Sequence, residues 1–168
     1  GLHAGFATTG TAALGVGYPD PFAEGLGTVC ALYPAATMGP CHALAVDRQD
    51  LSEGLLGLPV RMTLLVVDAK CQPVPGASVE VWHAGPGGLY SGADAAPLCT
   101  SGDATALAGR WLRGLRTTNE QGRVVFDTLY PGWYPGRTVH VHVTVRIGGT
   151  EFLTSQLFFD DALNEEII

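Results

Sequence analysis

Residues 130–145 read Tyr-Pro-Gly-Trp-Tyr-Pro-Gly-Arg-Thr-Val-His-Val-His-Val-Thr-Val. The second half of this stretch alternates polar and apolar residues with the period of two that is typical of a β-strand. His140 and His142 therefore leave the same face of the strand about 6.5 to 7 Å apart, a spacing that lets two ring nitrogens converge on one metal ion. The opposite face is predicted to pack in the core and carries Val139, Val141, Val143, Val145 and Ile147. Taken alone, the His-x-His pattern also fits two ordinary polar residues on a solvated face.

The composition is that of a single globular domain rich in turns. The chain has 168 residues, which is enough to bury one sizeable core without a second domain. Hydrophobic residues make up 46%, and 23 Gly and 11 Pro favour many turns and few long helices. We therefore expect an all-β fold.

The charge balance excludes two classes of partner. Nine Lys and Arg against 16 Asp and Glu give a net charge of −7, which repels a phosphate backbone and an anionic membrane surface. No run approaches the roughly 18 to 20 consecutive apolar residues of a membrane helix. The amino end lacks the charged-then-apolar layout of a signal peptide, so we expect a soluble chain, such as a mature product whose leader was removed.

The chain contains four cysteines, Cys30, Cys41, Cys71 and Cys99, and none of them forms a Cys-x-x-Cys pair. This spacing argues against a structural zinc knuckle. An even count without metal spacing favours two disulfides and an oxidising compartment over four buried thiols in a cytosolic protein. Three pairings are possible, and the residues alone do not choose among them.

Reading the chain in order divides it into a loosely structured arm, residues 1–28, and a single domain, residues 29–168. His3 in the arm is predicted to be solvated, and residues 47–56 to form one short helical turn. Residues 84–109 hold six glycines and are predicted to form a long irregular excursion, and His83 before them is predicted to be a hydrogen-bonded core histidine.

The other predicted strands, joined by turns such as Gly148-Gly149, are residues 58–68, 77–82, 111–116, 123–129 and 151–159. Strands at this spacing indicate an antiparallel β-sandwich or barrel.

Two tyrosines extend the metal-binding pattern of the histidine strand. Tyr134 lies in the tight turn that leads into the strand, so its phenol is expected at the mouth of the same sheet. Tyr90 lies in the glycine-rich excursion. A phenolate is a hard, strongly donating anion, and with two imidazoles it suits ferric iron better than calcium or magnesium.

Several segments occur in the order that is typical of one enzyme family. They are Pro73-Val-Pro-Gly-Ala-Ser-Val-Glu-Val-Trp-His83, Gly88-Leu-Tyr-Ser-Gly92, Arg113-Gly114, residues 119–126, Pro131-Gly-Trp-Tyr-Pro-Gly-Arg-Thr-Val-His-Val-His142 and Ser155-Gln-Leu-Phe-Phe159. On these segments the chain resembles the intradiol ring-cleavage dioxygenases, the non-heme ferric enzymes that cleave catechols between their two hydroxyls. The compact Gly-Trp-Tyr-Pro-Gly-Arg spacing is most similar to the short secreted members of the family.

This resemblance implies one non-heme Fe(III) per chain, with Tyr90, Tyr134, His140 and His142 as its ligands. It implies an enzyme that inserts both atoms of dioxygen into a catechol-type diol and gives a muconate-type dicarboxylic acid. Tyr134 would also take a proton from the entering substrate. Arg137 would stabilise negative charge developing on the ring, and Gln156 would support Arg137. The implied partners are a small aromatic diol and dioxygen, and the oligomeric state, monomer or homodimer, stays open.

The chain also departs from the family's pattern. Cys41-His42 stands where many relatives carry an aromatic residue, Ala84 where secreted relatives often have cysteine, and Arg116 where glutamine is common. Arg116 is therefore expected to add a positive charge near the site. Because Cys41 and Cys99 are both unusual for the family, we expect them to pair with each other and Cys30 with Cys71.

Two readings compete with the ferric dioxygenase. One is a β-sandwich binding module that kept the scaffold and lost or changed the metal, because a sandwich alone implies no activity. The other is a zinc or copper site on the same histidine pair, against which the two tyrosines argue. The predicted location is extracellular, with the cytoplasm as the alternative.

Overall fold

The computed structural model describes residues 8–167 and contains six β-strands: β1 (Pro59–Leu65), β2 (Ser78–Trp82), β3 (Arg113–Thr117), β4 (Arg123–Leu129), β5 (His140–Ile147) and β6 (Thr150–Phe158). β1 and β4 form a two-stranded sheet, and the other four form a sheet in the order β3-β2-β5-β6. Every pairing within these sheets is antiparallel. The predicted antiparallel β-sandwich is confirmed.

The core lies between the two sheets and is built by the alternation of the strands. Its buried cluster takes residues from both sheets and two residues outside the strands, Leu51 and Leu112: Leu51, Val79, Val81, Leu112, Val124, Phe126, Leu129, Val141 and Val143. The valine face of β5 therefore points inward, as its sequence predicts. Because successive side chains of a strand alternate, the histidine face of β5 is the outer face of the four-stranded sheet.

The strands lie close to the positions predicted from the sequence, whereas the helices differ from the prediction. Residues 47–56 form no helical turn, contrary to the prediction: Asp47 and Asp50 make isolated β-bridges. Glu53 and Gly54 then take left-handed dihedral angles, with φ of 50° and 78°. The carboxylate of Asp50 accepts the backbone N–H of Ser52, a local turn that competes with a helix.

Three short helices complete the fold. The excursion at residues 84–109 is more regular than predicted, because it contains α1 (Pro97–Thr100) and α2 (Ala104–Ala108). The side chain of Asp103 accepts the N–H of Ala106 and caps α2. The carboxylate of Asp160 accepts the N–H of Ala162 just before α3 (Asp161–Ile167), a helix that the sequence analysis did not predict.

Residues 11–22 of the arm lie against the β1–β4 sheet and begin with one short 3-10 turn, Thr11–Ala13. Arg61 donates to the carbonyl of Gly15 at 2.8 Å, and Arg123 donates to Asp20 at 2.8 Å. A surface cavity of about 980 Å³ lies between this arm and the sheet. His3 lies outside the described residues, and the division into residues 1–28 and 29–168 stays a prediction.

Two disulfides link the described chain, Cys30 with Cys71 and Cys41 with Cys99. Both pairings match the expectation drawn from the family resemblance. Among the described residues, no helix is long and apolar enough to cross a membrane.

Candidate metal centre

Two phenol oxygens and two imidazole nitrogens converge on the outer face of the four-stranded sheet. The hydroxyl oxygen of Tyr134 lies 3.2 Å from that of Tyr90 and 3.1 Å from Nε2 of His140. Nε2 of His140 lies 3.4 Å from the hydroxyl of Tyr90 and 3.1 Å from Nε2 of His142. The four residues that the sequence analysis singled out as ligands are thus brought together.

The two histidines are positioned by β5 and its neighbours. Nδ1 of His140 donates to the carbonyl of Thr138 at 2.6 Å. Only a protonated nitrogen can donate to a carbonyl, so in the neutral ring the Nε2 atom carries a free lone pair, as in a metal ligand. The ring of His142 stacks on Trp82 of the adjacent strand, with centroids 5.0 Å apart and planes 4° from parallel.

Tyr134 and Tyr90 meet because two loops approach closely at a glycine. Gly88 has a φ of 85°, and a Cβ atom there would lie 2.6 Å from the carbonyl oxygen of Trp133. Only glycine combines this backbone conformation with this contact. The Tyr90 excursion can therefore pass directly beside the turn that carries Tyr134.

Tyr90 is the most deeply enclosed of the tyrosines in this cluster, with 2% of its surface exposed. Its N–H donates to the carbonyl of Cys99 at 2.9 Å. The guanidinium of Arg113 lies over its ring, 5.9 Å from the centroid. Burial, reinforced by the neighbouring Tyr134, raises the pKa of the Tyr90 phenol well above its ordinary value.

Burial also keeps both imidazoles neutral. It lowers the pKa of His142 to about 3, with the neighbouring His140 acting in the same direction, and it lowers the pKa of His140. A neutral imidazole already presents the lone pair that a metal binds, whereas a phenol must lose its proton before it binds a metal.

The distances fit a single metal ion. With bonds of about 2.0 to 2.1 Å, two ligand atoms separated by 90° to 109° at the metal lie about 2.9 to 3.4 Å apart. The four measured separations of 3.1 to 3.4 Å fall within this range. In the described part of the chain, no three His, Cys, Asp or Glu side chains form a group that could hold a metal. The two phenols supply half of the donor set.

Arg137 and Gln156 lie beside this cluster. Arg137 is exposed and donates through Nη2 to the amide oxygen of Gln156. Gln156 is buried and is the register partner of His142 across β5 and β6. The arginine therefore has its guanidinium held at the edge of the cluster while part of it stays accessible.

The residues that depart from the family's pattern have definite places. Cys41 is buried in its disulfide, and His42 contacts the edge of Trp82 and lies 2.6 Å from the buried carboxylate of Glu80. Ala84 packs in the same cluster as Cys41. The expectation for Arg116 is wrong, because this residue lines the cavity beneath the N-terminal arm.

The sequence analysis assigned no role at the site to Trp82 and Arg113. The alternation of β2 did place Trp82 on the face away from the core, which is the face it shares with His142. Arg113 sits next to Gly114 in a quoted segment, but its burial beneath Tyr90 depends on contacts distant in the sequence. Arg113 lies on β3, three residues before Arg116, the arginine that the sequence predicted near the site.

The sequence of this chain matches a known protein family and a curated relative. A family model described as "Dioxygenase" matches residues 33–168. The chlorocatechol 1,2-dioxygenase of Pseudomonas putida is 32% identical over 104 residues, which cover 51% of this chain and 36% of that protein. The chain thus spans about a third of the length of this curated relative.

Solved structures agree in fold with this chain. An intradiol ring-cleavage dioxygenase from Tetranychus urticae aligns with a TM-score of 0.72 and 34% identity, over 82% of this chain and 69% of that chain. The dioxygenase domain of a dioxygenase and carbohydrate-binding protein fusion from Streptomyces sp. SirexAA-E aligns with a TM-score of 0.62 and 31% identity. That alignment covers 76% of this chain and 75% of the other.

Proposed function

Because the chain belongs to the intradiol ring-cleavage dioxygenase family, we propose that it is a non-heme Fe(III) enzyme acting on catechols. It would insert both atoms of dioxygen into the ring and release a muconate-type dicarboxylic acid. The observation that carries this proposal is the convergence of two phenol oxygens and two imidazole nitrogens: Nε2 of His140 lies 3.1 to 3.4 Å from the donor atoms of Tyr90, Tyr134 and His142, and the two phenol oxygens lie 3.2 Å apart.

The charge of the donor set supports a trivalent ion. Tyr90 and Tyr134 must lose their protons to bind a metal, and burial opposes this ionisation at Tyr90. A strongly charged cation offsets that cost, and Fe(III) with two phenolates and one further anion is near neutral. Tyr90, Tyr134, His140 and His142 are the residues that would hold it. When bound, Fe(III) would supply a Lewis acid for the catechol oxygens and would make the ring reactive towards dioxygen.

The other groups of the chain act on the substrate. Tyr134 is less buried than Tyr90, and in the proposed reaction it would take a proton from an entering catechol. Arg137, held by Gln156, offers a fixed positive charge where negative charge develops on the ring. Because Arg116 lines the cavity beneath the arm, this residue gives no reason to favour a carboxylated catechol.

The two disulfides support an oxidising compartment for this enzyme. We therefore propose that it works outside the cytosol.

The test begins with the colour of the iron-loaded protein. Charge transfer from a tyrosinate to Fe(III) absorbs visible light, so the protein reconstituted with ferric iron should be red, with one iron per chain. Tyr134→Phe should shift or weaken the band. The matched control is Tyr130→Phe, since Tyr130 is more deeply buried than Tyr134 but pairs with Asn164 away from the cluster, and the band of this variant should be unchanged.

Oxygen uptake then tests the reaction. Catechol, protocatechuate and hydroxyquinol should each be compared, and a true substrate should consume one dioxygen per ring and yield a ring-opened dicarboxylate. A colourless protein that binds zinc stoichiometrically would support the zinc reading. A protein that takes up no metal and no oxygen would support the binding module.

A further inference from the structure

Tyr90 differs from the other three donors in how the fold holds it. His140 and His142 lie on β5 and are held by its ladders, and Tyr134 lies in the turn that leads directly into that strand. Tyr90 comes from the excursion and lies outside every strand and helix. Its position in the cluster must be fixed by contacts other than a sheet ladder.

The Cys41–Cys99 disulfide supplies the first of these contacts. Both cysteines are buried, at 8% and 3% exposure, and pack in one apolar cluster with Tyr90 and Trp82. The carbonyl of Cys99 accepts the N–H of Tyr90 at 2.9 Å. A covalent bond to Cys41 thus restrains the residue that holds the Tyr90 backbone.

Arg113 supplies the second contact. Its Nη2 donates to the carbonyl of Cys41 at 2.7 Å and to the carbonyl of Ser91 at 2.6 Å, and its Nε also donates to Ser91 at 3.0 Å. The same guanidinium lies over the Tyr90 ring. One buried side chain therefore joins the disulfide to the residue that follows Tyr90.

The second disulfide makes no such contact. Cys30 and Cys71 are only partly buried, and Cys71 lines a surface cavity with Leu26, Lys70 and Gln72. The two disulfides close loops of similar length, with sequence separations of 41 and 58 residues. The chain-entropy model therefore predicts similar global stabilisation from each, and a local effect on Tyr90 would distinguish them.

We infer that the Cys41–Cys99 disulfide and Arg113 are positioning elements that hold the Tyr90 phenol in the metal cluster, whereas the Cys30–Cys71 disulfide only stabilises the fold. This inference deepens the proposed function, since it concerns how one proposed ligand is kept in place. It assigns the disulfide at Cys41 a role in iron retention.

Hydrogen exchange on the metal-free protein tests the inference without iron. In Cys41→Ser/Cys99→Ser, the amide of Tyr90 should exchange on the order of tenfold faster than in the native protein, as expected for a weakened buried hydrogen bond. The matched control Cys30→Ser/Cys71→Ser should leave that rate within about twofold of the native value. Amides of β5 serve as the reference for global unfolding in each protein.

Iron supplies a second readout. After reconstitution, the Cys41→Ser/Cys99→Ser protein should release iron to a chelator faster and show a weaker tyrosinate band than the control. If the control and the test variant behave alike in exchange and in iron release, the inference is wrong. A native protein that takes up no ferric iron would instead contradict the proposed function, and the exchange data would still decide the inference.

Arg113→Lys provides the same test with both disulfides intact, should the double variant fail to fold. Lysine keeps the charge but cannot bridge two carbonyls with a planar fork. Faster exchange at Tyr90 and faster iron release in this variant support the inference, and native values for both overturn it.

Discussion

Arg137 is held beside the cluster by a single hydrogen bond from its guanidinium to Gln156. In the proposed function it stabilises charge on the substrate, so Arg137→Met should lower kcat by about 100-fold or more, the usual cost of one lost charge-stabilising donor. Iron content should be unchanged, because Arg137 is not a donor to the metal. Gln156→Leu should give a smaller loss, since Gln156 acts through Arg137.

The control for this prediction is Arg116→Met, which removes an arginine at the cavity beneath the arm. Steady-state oxygen uptake, measured on samples with matched iron content, should be native for Arg116→Met. Equal kcat values for the native protein and Arg137→Met would exclude the proposed role of Arg137.

His83 is a residue whose burial makes stability depend on pH. It is buried between the carbonyl of Ala84, 2.8 Å from Nδ1, and the hydroxyl of Thr128, 2.7 Å from Nε2, as predicted for a core histidine. Burial lowers its pKa to about 4, whereas an unfolded histidine titrates near 6.5. Between these values the unfolded chain binds the extra proton, so stability is present above pH 6.5 and falls as the pH falls towards 4, by up to about 3 kcal/mol.

Urea unfolding of the metal-free native protein and of His83→Gln from pH 7.5 to pH 4.5 isolates this effect. Glutamine does not titrate, so the stability advantage of the native protein should shrink steadily across that interval. The other histidines are common to both proteins and cancel in the difference. A difference in unfolding free energy that stays constant with pH would contradict the prediction.

Among the elements, β5 and the excursion at residues 84–109 show what the sequence could predict. In β5 the alternation fixes both faces, because one run of side chains must be buried and a shift by one residue would expose it. The strand's histidines were therefore identified correctly as neighbours. In the excursion, α1 and α2 are only four and five residues long and depend on local caps and a disulfide, which periodicity does not reveal.

The excursion also carries a prediction of its own. Gly88→Ala would place a Cβ 2.6 Å from the carbonyl oxygen of Trp133 at a φ of 85°, so the loop must move away from Tyr134. We expect a loss of about 1 to 3 kcal/mol in stability and about 10 to 100-fold weaker iron binding, the range seen when supports of metal ligands are removed. Chemical denaturation and iron titration measure the two effects.

Gly87→Ala is the control for this change one residue away. A Cβ at Gly87 would meet nothing within 4 Å, so its effects on stability and iron binding should be small, within about 0.5 kcal/mol. If Gly88→Ala binds iron as tightly as Gly87→Ala does, the close approach of the two loops is not what brings Tyr90 to Tyr134.

For the whole molecule, sequence patterns predicted the sandwich but not the arrangement of parts around it. Tyr90 and Tyr134 are 44 residues apart, and their contact at 3.2 Å depends on the path of a loop. Arg113 and Arg116 lie on one strand, yet Arg113 is buried under Tyr90 whereas Arg116 faces the arm. Such choices are made by tertiary packing, so periodicity identified the two histidines, whereas the resemblance to the family was needed to assign Tyr90 to the same site.

The arm and the proposed metal ligands lie on different sheets, so stability and metal binding depend on different parts of the molecule. Residues 11–22 cover the outer face of the β1–β4 sheet, where Arg61 lies over the ring of Tyr18 and Arg123 over that of Phe22, 5.5 and 5.2 Å from their centroids. The metal cluster lies on the outer face of the other sheet. A chain that begins at residue 25 should therefore melt on the order of 5 °C lower, since 1 kcal/mol corresponds to about 2 to 4 °C in a domain of this size. Its iron content and kcat should stay within about twofold of native values, and a marked loss of iron at a temperature where the shortened protein is fully folded would show that the two faces are coupled.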